Sequence, residues 1–334
     1  MKKMKDNSAK QKKCKWSTKK KWTIALSGIA ATTGLAIGGL MYSGFWSMMF
    51  KSSEINTVIK ENSSKFETLT FTDESGQTLT YNLYIPENYD SSKSYPLVLF
   101  LHDSASVSDN ATYTLEQGVG ADVWASDEVQ DYSQAFVLAP QFNEVIANDD
   151  FELTGQGELI VPLIESLKKD YSLDSNRIYT TGQSMGSMTS MALNVKYPNY
   201  FAASYFVTGQ WDEKSMEQLA DSNTKMTWIV SEGDAKAWPV METMKNYMNE
   251  KGISYATDIW DGRWTSTEYD QATEELYSQE KNINLVTYAA GTVMPSYAMK
   301  SATNEHIYTW YKAYLISGVQ KWLLSQTLDG SGQE

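Results

Sequence analysis

The chain has 334 residues with a formal charge of −13, and its 42% of hydrophobic residues excludes a mainly disordered protein. Ten lysines lie within residues 1–21, so residues 51–334 hold 18 basic and 40 acidic residues and carry a formal charge of −22. This negative charge argues against nucleic acid as a partner, because nucleic-acid binding requires clustered Lys and Arg.

The sequence has one cysteine, Cys14, and two histidines, His102 and His306. A single cysteine cannot form a disulfide within the chain or a thiolate metal site. We expect neither a metal nor an organic cofactor. Any chemistry that requires a histidine must use one of these two.

Residues 22–50 contain no charged residue and lie between Lys21 and Lys51. A helix of this length exceeds the roughly 20 residues needed to cross a bilayer, whereas the apolar part of a signal peptide has only about 7–15. The sequence therefore favours an uncleaved transmembrane anchor, with a cleaved signal segment as the alternative. Residues 1–21 are expected to form a basic cytoplasmic head, which would place the rest of the chain outside the membrane.

Residues 51–64 are polar and are interpreted as a tether, and residues 65–334 are expected to form one catalytic domain. The predicted elements of this domain, in chain order, are a hairpin of strands 66–71 and 79–85, strands 97–101 and 135–139, helix 157–169, strand 177–181, helix 187–195, strands 201–207 and 226–230, helix 240–249, strand 253–260, helix 267–280, strand 283–289 and helix 308–324. After the hairpin, strands and helices alternate. This order predicts an α/β fold with a mostly parallel central sheet and helices on both faces.

The motif Gly182-Gln183-Ser184-Met185-Gly186 lies between a predicted strand and a predicted helix. Small residues on both sides of a serine allow the sharp strand-to-helix turn that presents a nucleophilic hydroxyl. Without that context the motif is weak evidence, since an ordinary turn would also contain these residues. In this context it predicts Ser184 as the nucleophile of a serine hydrolase.

Serine requires a base, and in this type of fold the acid and then the histidine follow the nucleophile in the chain. His306 satisfies this order. The acid is predicted to be Asp234, in the loop after strand 226–230, where it would orient the imidazole of the base. Glu232, Asp258 and Asp261 are rival candidates, each also interpretable as a solvated surface carboxylate.

The tetrahedral oxyanion is expected to receive hydrogen bonds from the backbone N–H of Met185 and from one N–H after His102, that of Asp103 or Ser104. Trp211 and Trp238 follow strands at the same predicted edge of the sheet. They are candidates for binding substrate, although tryptophans more often serve packing.

Several segments resemble successive motifs of one group of α/β hydrolases, the polyester depolymerases, feruloyl esterases and "predicted peptidases". These segments are TLTYNLYIPENYDSSKSYPLVLFLHDS (78–104), FVLAPQ (136–141), NRIYTTGQSMGSMTSMAL (176–193), SEGDAKAWPV (231–240) and EHIYTWYKAY (305–314). The resemblance covers most of residues 65–326 and implies Ser184, Asp234 and His306 as a catalytic triad.

The sequence departs from the group's usual motifs at two places. Where the group has His-Gly-x-Gly after the third strand, this chain has His102-Asp103-Ser104-Ala105-Ser106. Where the group often has Gly-Gly-His before the base, this chain has Asn304-Glu305-His306. Neither change removes a side chain of the predicted triad.

The sequence therefore predicts an extracytoplasmic serine hydrolase that cleaves a small-molecule or polymer-linked carboxylic ester through an acyl-enzyme. The enzyme would be held at the membrane by its anchor, or secreted if the segment is cleaved. Three alternatives stay open: a serine peptidase, an acyltransferase with the same residues, and a surface-binding protein with weak catalysis. The altered loop after His102 motivates the last of these.

Overall fold

The computed structural model describes residues 53–222 and 224–328. The predicted basic head and apolar segment, residues 1–50, lie outside the described residues. Among the helices of the described part, none has the length and apolar character required to cross a membrane.

Nine strands of the described chain form one sheet in the order β1-β2-β4-β3-β5-β6-β7-β9-β8. Their bounds are β1 Glu67–Thr72, β2 Thr78–Tyr84, β3 Tyr95–Leu101, β4 Phe136–Gln141, β5 Leu173–Gln183, β6 Ala203–Val207, β7 Met226–Ser231, β8 Ala256–Trp260 and β9 Ile283–Tyr288. Strand β2 pairs antiparallel with β1 and β4, and every other pairing is parallel. The parallel strands therefore all end at one edge of the sheet.

Ten α-helices connect or flank these strands in the described residues. They are α1 Ser53–Asn62, α2 Tyr113–Glu116, α3 Asp127–Tyr132, α4 Ile160–Asp170, α5 Met185–Lys196, α6 Glu213–Asp221, α7 Ala237–Lys251, α8 Ser266–Tyr277, α9 Ala302–Ala313 and α10 Ser317–Ser325. Helices α4 to α7 pack on one face of the sheet, and α1, α3, α8, α9 and α10 pack on the other. The predicted sheet with helices on both faces is confirmed.

Strand β3 shows how the sequence produces two cores. Leu97, Leu99 and Leu101 belong to the core under α4 to α7, while Val98 and Phe100 belong to the core on the opposite face. Because successive side chains of a strand point to opposite faces, a strand covered on both sides is a continuous apolar run. The sequence YPLVLFL has this pattern, and all of its residues are buried.

The interpretation of residues 51–64 as a tether is wrong for most of that segment. Residues 53–62 form helix α1, in which Ile55 is only 3% exposed. Val58 and Ile59 pack against the same core. These residues recur at positions i, i+3 and i+4, so a short apolar stripe lies on one face of an otherwise polar helix.

The single helix predicted for residues 308–324 is also wrong. Helix α9 begins six residues earlier and ends at Ala313, and α10 begins at Ser317. Ile316 between them has an extended backbone, and the phenol of Tyr314 lies beside the hydroxyl of Thr181 at 3.4 Å. Residues of both helices pack in the same core on this face of the sheet. His306 lies within a helix rather than in the loop before one.

Candidate active site

Ser184 occupies the sharp turn between β5 and α5 and has φ 52° and ψ −118°, outside the regions that non-glycine residues favour. Two glycines permit the turn. A Cβ on Gly186 would lie 1.9 Å from the carbonyl oxygen of Leu101, and one on Gly182 would lie 2.5 Å from the backbone of Gly186. The backbone N–H of Ser184 donates to the carbonyl of Val207 at 3.0 Å. The motif thus forms the strained turn that presents a serine hydroxyl in serine hydrolases.

The predicted acid and base meet directly. Asp234 follows β7, His306 lies in the second turn of α9, and Nδ1 of His306 is 2.6 Å from Oδ2 of Asp234. The Asp234 side chain is 3% exposed and that of His306 is 21% exposed. With Nδ1 donating to a buried carboxylate, Nε2 of the imidazole is left to accept a proton from the solvent-facing side.

Asp234 is held as an anion by its surroundings. Burial by itself would raise the pKa of its carboxyl, but the hydrogen bond and charge of His306 oppose this effect. The backbone N–H groups of Lys236 and Ala237 also donate to Oδ1, at 2.9 and 3.1 Å. The net result is a pKa below the usual aspartate value.

Ser184 lies at the same edge of the sheet as the Asp234–His306 pair, because β5, β6 and β7 are adjacent parallel strands. Within residues 53–222 and 224–328, no hydrogen bond connects the Ser184 hydroxyl to His306. Catalytic hydrogen bonds are often long without substrate and shorten in the reacting complex. The assignment of these three residues as a triad stays a prediction.

The three rival acids interact with groups other than His306. Glu232 accepts a hydrogen bond from the backbone of Ala290. Asp258 accepts one from the Trp260 indole, and Asp261 pairs with Arg263. The described residues also include no cluster of three or more His, Cys, Asp or Glu side chains that could bind a metal ion.

The loop after β3 packs on the first turn of α5, since the carbonyl of His102 would lie 2.9 Å from a Cβ on Gly186. The amide of Met185 opens that helix, so it has no acceptor within the helix. The Asp103 carboxylate holds the loop by accepting from Ala105 N, Ser106 Oγ and Gln183 Nε2, each at 2.9 Å. Whether Met185 and Asp103 or Ser104 bind an oxyanion stays a prediction.

His102 is fully buried and has a structural role. Its Nδ1 donates to the carbonyl of Asp103 at 2.7 Å, and its Nε2 accepts from the N–H of Phe142 at 3.0 Å. Burial lowers the pKa of this histidine, which keeps the ring neutral. The imidazole therefore connects the ends of β3 and β4.

A small hairpin after β4 extends across the same edge of the sheet. Ala147 and Leu153 pair as its arms. At its tip, Asp149 pairs with Lys236 at 2.5 Å and accepts from Gln210 at 3.1 Å. Since Gln210 follows β6 and Lys236 follows β7, the hairpin passes over the ends of β3 and β5, where Ser184 lies.

The two predicted substrate-binding tryptophans differ in surroundings. Trp211 is 5% exposed, and the ring of Phe151 covers it edge-on at 5.6 Å between centroids. Trp238 is half-buried on α7 and packs against the core under α4 to α7. The exposed aromatic ring at this position is that of Phe151, which the sequence prediction omitted. A role in substrate binding stays a prediction for both tryptophans.

The sequence prediction also omitted two side chains beside the base. Trp310 packs edge-on against the ring of His306 at 5.3 Å and donates its indole N–H to Thr208 at 2.5 Å. The i, i+4 spacing of His306 and Trp310 places both on one helix face and was a usable signal. Glu305 is buried and accepts hydrogen bonds from Ser231 and Gly291, which no local pattern indicates.

Comparison with known proteins shows similarity to esterases. No protein-family model matches the chain. A probable feruloyl esterase C of Aspergillus terreus is 32% identical over 131 residues, which cover 39% of this chain and 46% of the relative. The chain thus matches about half the length of that relative.

Solved structures extend the similarity to 80% of the chain. A thermostable esterase superposes with a TM-score of 0.65 at 22% identity, covering 80% of this chain and 64% of the esterase. A feruloyl esterase module from Clostridium thermocellum superposes with a TM-score of 0.52 at 13% identity, covering 80% and 89%. The resemblance predicted from the sequence is confirmed, and the chain has the α/β-hydrolase fold of these esterases.

Proposed function

We propose that the chain is a serine hydrolase of carboxylic esters, with Ser184 as nucleophile, His306 as general base and Asp234 as the acid that orients it. The observation that carries this proposal is the 2.6 Å Asp234–His306 pair at the sheet edge where Ser184 occupies its strained turn. The likeness to a probable feruloyl esterase favours an ester over an amide as the bond that is cleaved.

In this mechanism the Ser184 hydroxyl attacks the ester carbonyl while Nε2 of His306 takes its proton. The negative oxygen of the tetrahedral intermediate would lie against the N–H of Met185 and an N–H of the Asp103–Ser104 segment. Collapse of the intermediate releases the alcohol, which takes the proton from His306. Water then attacks the acyl-enzyme with the same histidine as base and releases the acid.

The loop after His102 lacks the usual glycines, which was the reason to consider a binding protein with weak catalysis. Its geometry favours the enzyme, because the Asp103 carboxylate fixes the loop through three hydrogen bonds and ties it to Gln183, next to the nucleophile. A fixed loop is what a preorganised oxyanion site requires. A peptidase or an acyltransferase would use the same residues, and product analysis with added alcohols and amines distinguishes them.

The test is hydrolysis of p-nitrophenyl acetate and butyrate by the full chain, beside its Ser184→Ala and His306→Gln variants. A fluorophosphonate probe, located by mass spectrometry, reports the nucleophile independently of substrate choice. We expect turnover and labelling at Ser184 in the wild type and a loss of at least about a thousandfold in both variants. A folded wild-type protein with neither turnover nor label would contradict the proposal and favour the binding protein.

We also propose that residues 22–50 hold the hydrolase at the outer surface of a membrane. The support is the uncharged stretch of 29 residues next to a head with ten lysines. Protease added to intact cells should remove the domain while residues 1–21 stay protected. Degradation only after the cells are lysed would contradict this location.

A further inference from the structure

The loop after β7 carries the proposed acid and helix α9 carries the proposed base, and a buried glutamate connects these two segments. Glu305 lies in the first turn of α9, immediately before His306, and is 5% exposed. Its Oε2 accepts from the Ser231 hydroxyl at 2.6 Å, and its Oε1 accepts from the N–H of Gly291 at 2.7 Å. Ser231 ends β7, three residues before Asp234, and Gly291 follows β9.

The side chain of Glu305 also packs closely against the loop that contains Asp234. Gly233 directly precedes Asp234, and a Cβ at this position would lie 2.3 Å from Cγ of Glu305. The N–H of Gly233 also donates to the Ser231 hydroxyl at 3.2 Å. The side chain of Glu305 thus contacts the segment that contains Asp234, while its backbone is bonded directly to that of His306.

We infer that Glu305 is a positioning residue that sets the distance between Asp234 and His306, an inference that rests on the proposed function. The Glu305–Ser231 bond thus connects α9 with the end of β7 beside the Asp234–His306 bond itself. A misplacement of about 1 Å at a reacting group costs about a hundredfold in rate. Because Glu305 is buried and lies behind the base, its loss should lower kcat and leave KM nearly unchanged.

The chain provides a matched control in Glu232, a second glutamate that lies two residues before Asp234 in the chain. Its carboxylate accepts from the N–H of Ala290 at 3.0 Å, but this bond is exposed to solvent. Glu305→Ala should lower kcat about ten- to a hundredfold, whereas Glu232→Ala should change it less than about twofold.

A conservative variant separates hydrogen bonding from folding. In Glu305→Gln the amide oxygen can accept from Gly291 and the amide N–H can donate to Ser231, so we expect kcat within about threefold of wild type. Ser231→Ala removes one of the two bonds and should fall between Glu305→Gln and Glu305→Ala. All rates are expressed per site that reacts with the fluorophosphonate, which removes the contribution of unfolded protein.

A second readout does not depend on catalysis. The chain has two histidines, so selective ¹⁵N labelling of histidine gives two sets of ring signals, and His306→Gln assigns them. The Nδ1–H proton of His306 reports its hydrogen bond to Asp234. We expect this signal to shift or to exchange faster in Glu305→Ala and to be unchanged in Glu232→Ala.

Unchanged kcat and an unchanged Nδ1–H signal in Glu305→Ala would overturn the inference, as would a Glu305→Gln variant as slow as Glu305→Ala. If Glu305→Ala does not fold, Ser231→Ala decides, because it removes one of the same bonds with a smaller loss of packing. A folded wild type with neither turnover nor fluorophosphonate label would contradict the proposed function alone, and the ring signals would still test the role of Glu305.

Discussion

The residues around the proposed nucleophile form a polar network that local sequence does not reveal. Gln183, adjacent to Ser184, donates from Nε2 to the Asp103 carboxylate at 2.9 Å and to Gln117 Oε1 at 3.0 Å. Gln183 and Asp103 are buried. Buried polar groups stabilise a fold only while each donor faces an acceptor. This pair should therefore tolerate a swap of its amide and its carboxylate, but not two carboxylates that face each other.

Gln183→Glu should therefore destabilise the protein, because it places a second carboxylate against that of Asp103. We expect a loss of about 3 kcal/mol in the free energy of unfolding. Adding Asp103→Asn should recover most of the loss, since the asparagine N–H can donate to the new glutamate. Urea unfolding of the single and double variants measures this. The exposed control Gln279→Glu should change the free energy by less than about 0.5 kcal/mol, and an equally large loss in that control would show that added charge alone is responsible.

Whether a feature of the site could be predicted from the sequence depends on how far apart in the chain its contacting residues lie. The turn at Ser184 was predictable because the glycines that permit it lie within five residues of one another. Asp234 and His306 were found through the chain order of one fold. Glu305 and the Asp103–Gln183 pair were missed because their partners are 74 and 80 residues away. Nothing in a local pattern identifies such partners.

At the scale of elements, helix α1 was missed although a signal for it existed. Ile55, Val58 and Ile59 have helical spacing, but polar residues dominate the segment and suggested a tether. The split between α9 and α10 was missed because the apolar pattern continues through Tyr314, Leu315 and Ile316, although the Ser-Gly pair that follows is a turn signal.

Helix α1 should contribute measurably to the stability of the domain. Ile55→Ala removes a side chain that is 3% exposed, and we expect it to cost about 2–4 kcal/mol of unfolding free energy. Ile259 is the same residue type at 60% exposure, so Ile259→Ala should cost less than about 0.5 kcal/mol. Thermal or urea unfolding compares the two variants. Equal and small losses would indicate that α1 does not pack on the domain in solution.

At the scale of the molecule, the segments that form the proposed site all lie at one edge of the sheet. The turn at Ser184, the loop with Asp234, the hairpin over β3 and β5, and the helix with His306 all follow parallel strands. Ligand sites of parallel sheets occur at this edge because the strands end there and loops of different length can meet. The sheet therefore fixes the relative positions of the loops that form the proposed site.

The acidic domain should lose stability in acid, in part through the carboxyl at this site. The pKa of Asp234 is lower in the folded protein than the usual 3.8, so the folded state binds fewer protons than the unfolded state. The resulting stabilisation is present above pH 3.8 and is lost as the pH falls through the folded-state pKa. Asp73, Asp90, Glu165, Asp261 and Glu268 also have lowered pKa values and add to the same trend.

Asp234→Asn isolates the contribution of this one carboxyl. We expect it to lower the free energy of unfolding by about 1–3 kcal/mol at pH 7, because it replaces a charged acceptor of three hydrogen bonds. The difference from wild type should shrink as the pH falls below 3.8, because the unfolded wild-type chain then binds a proton at Asp234 that the folded chain does not yet bind. Urea unfolding at pH 7, 5 and 3 provides the measurement, with the exposed Asp170→Asn as control. A difference that stays constant down to pH 3 would mean that the asparagine destabilises through packing and that Asp234 is not the anion on which the proposed mechanism depends.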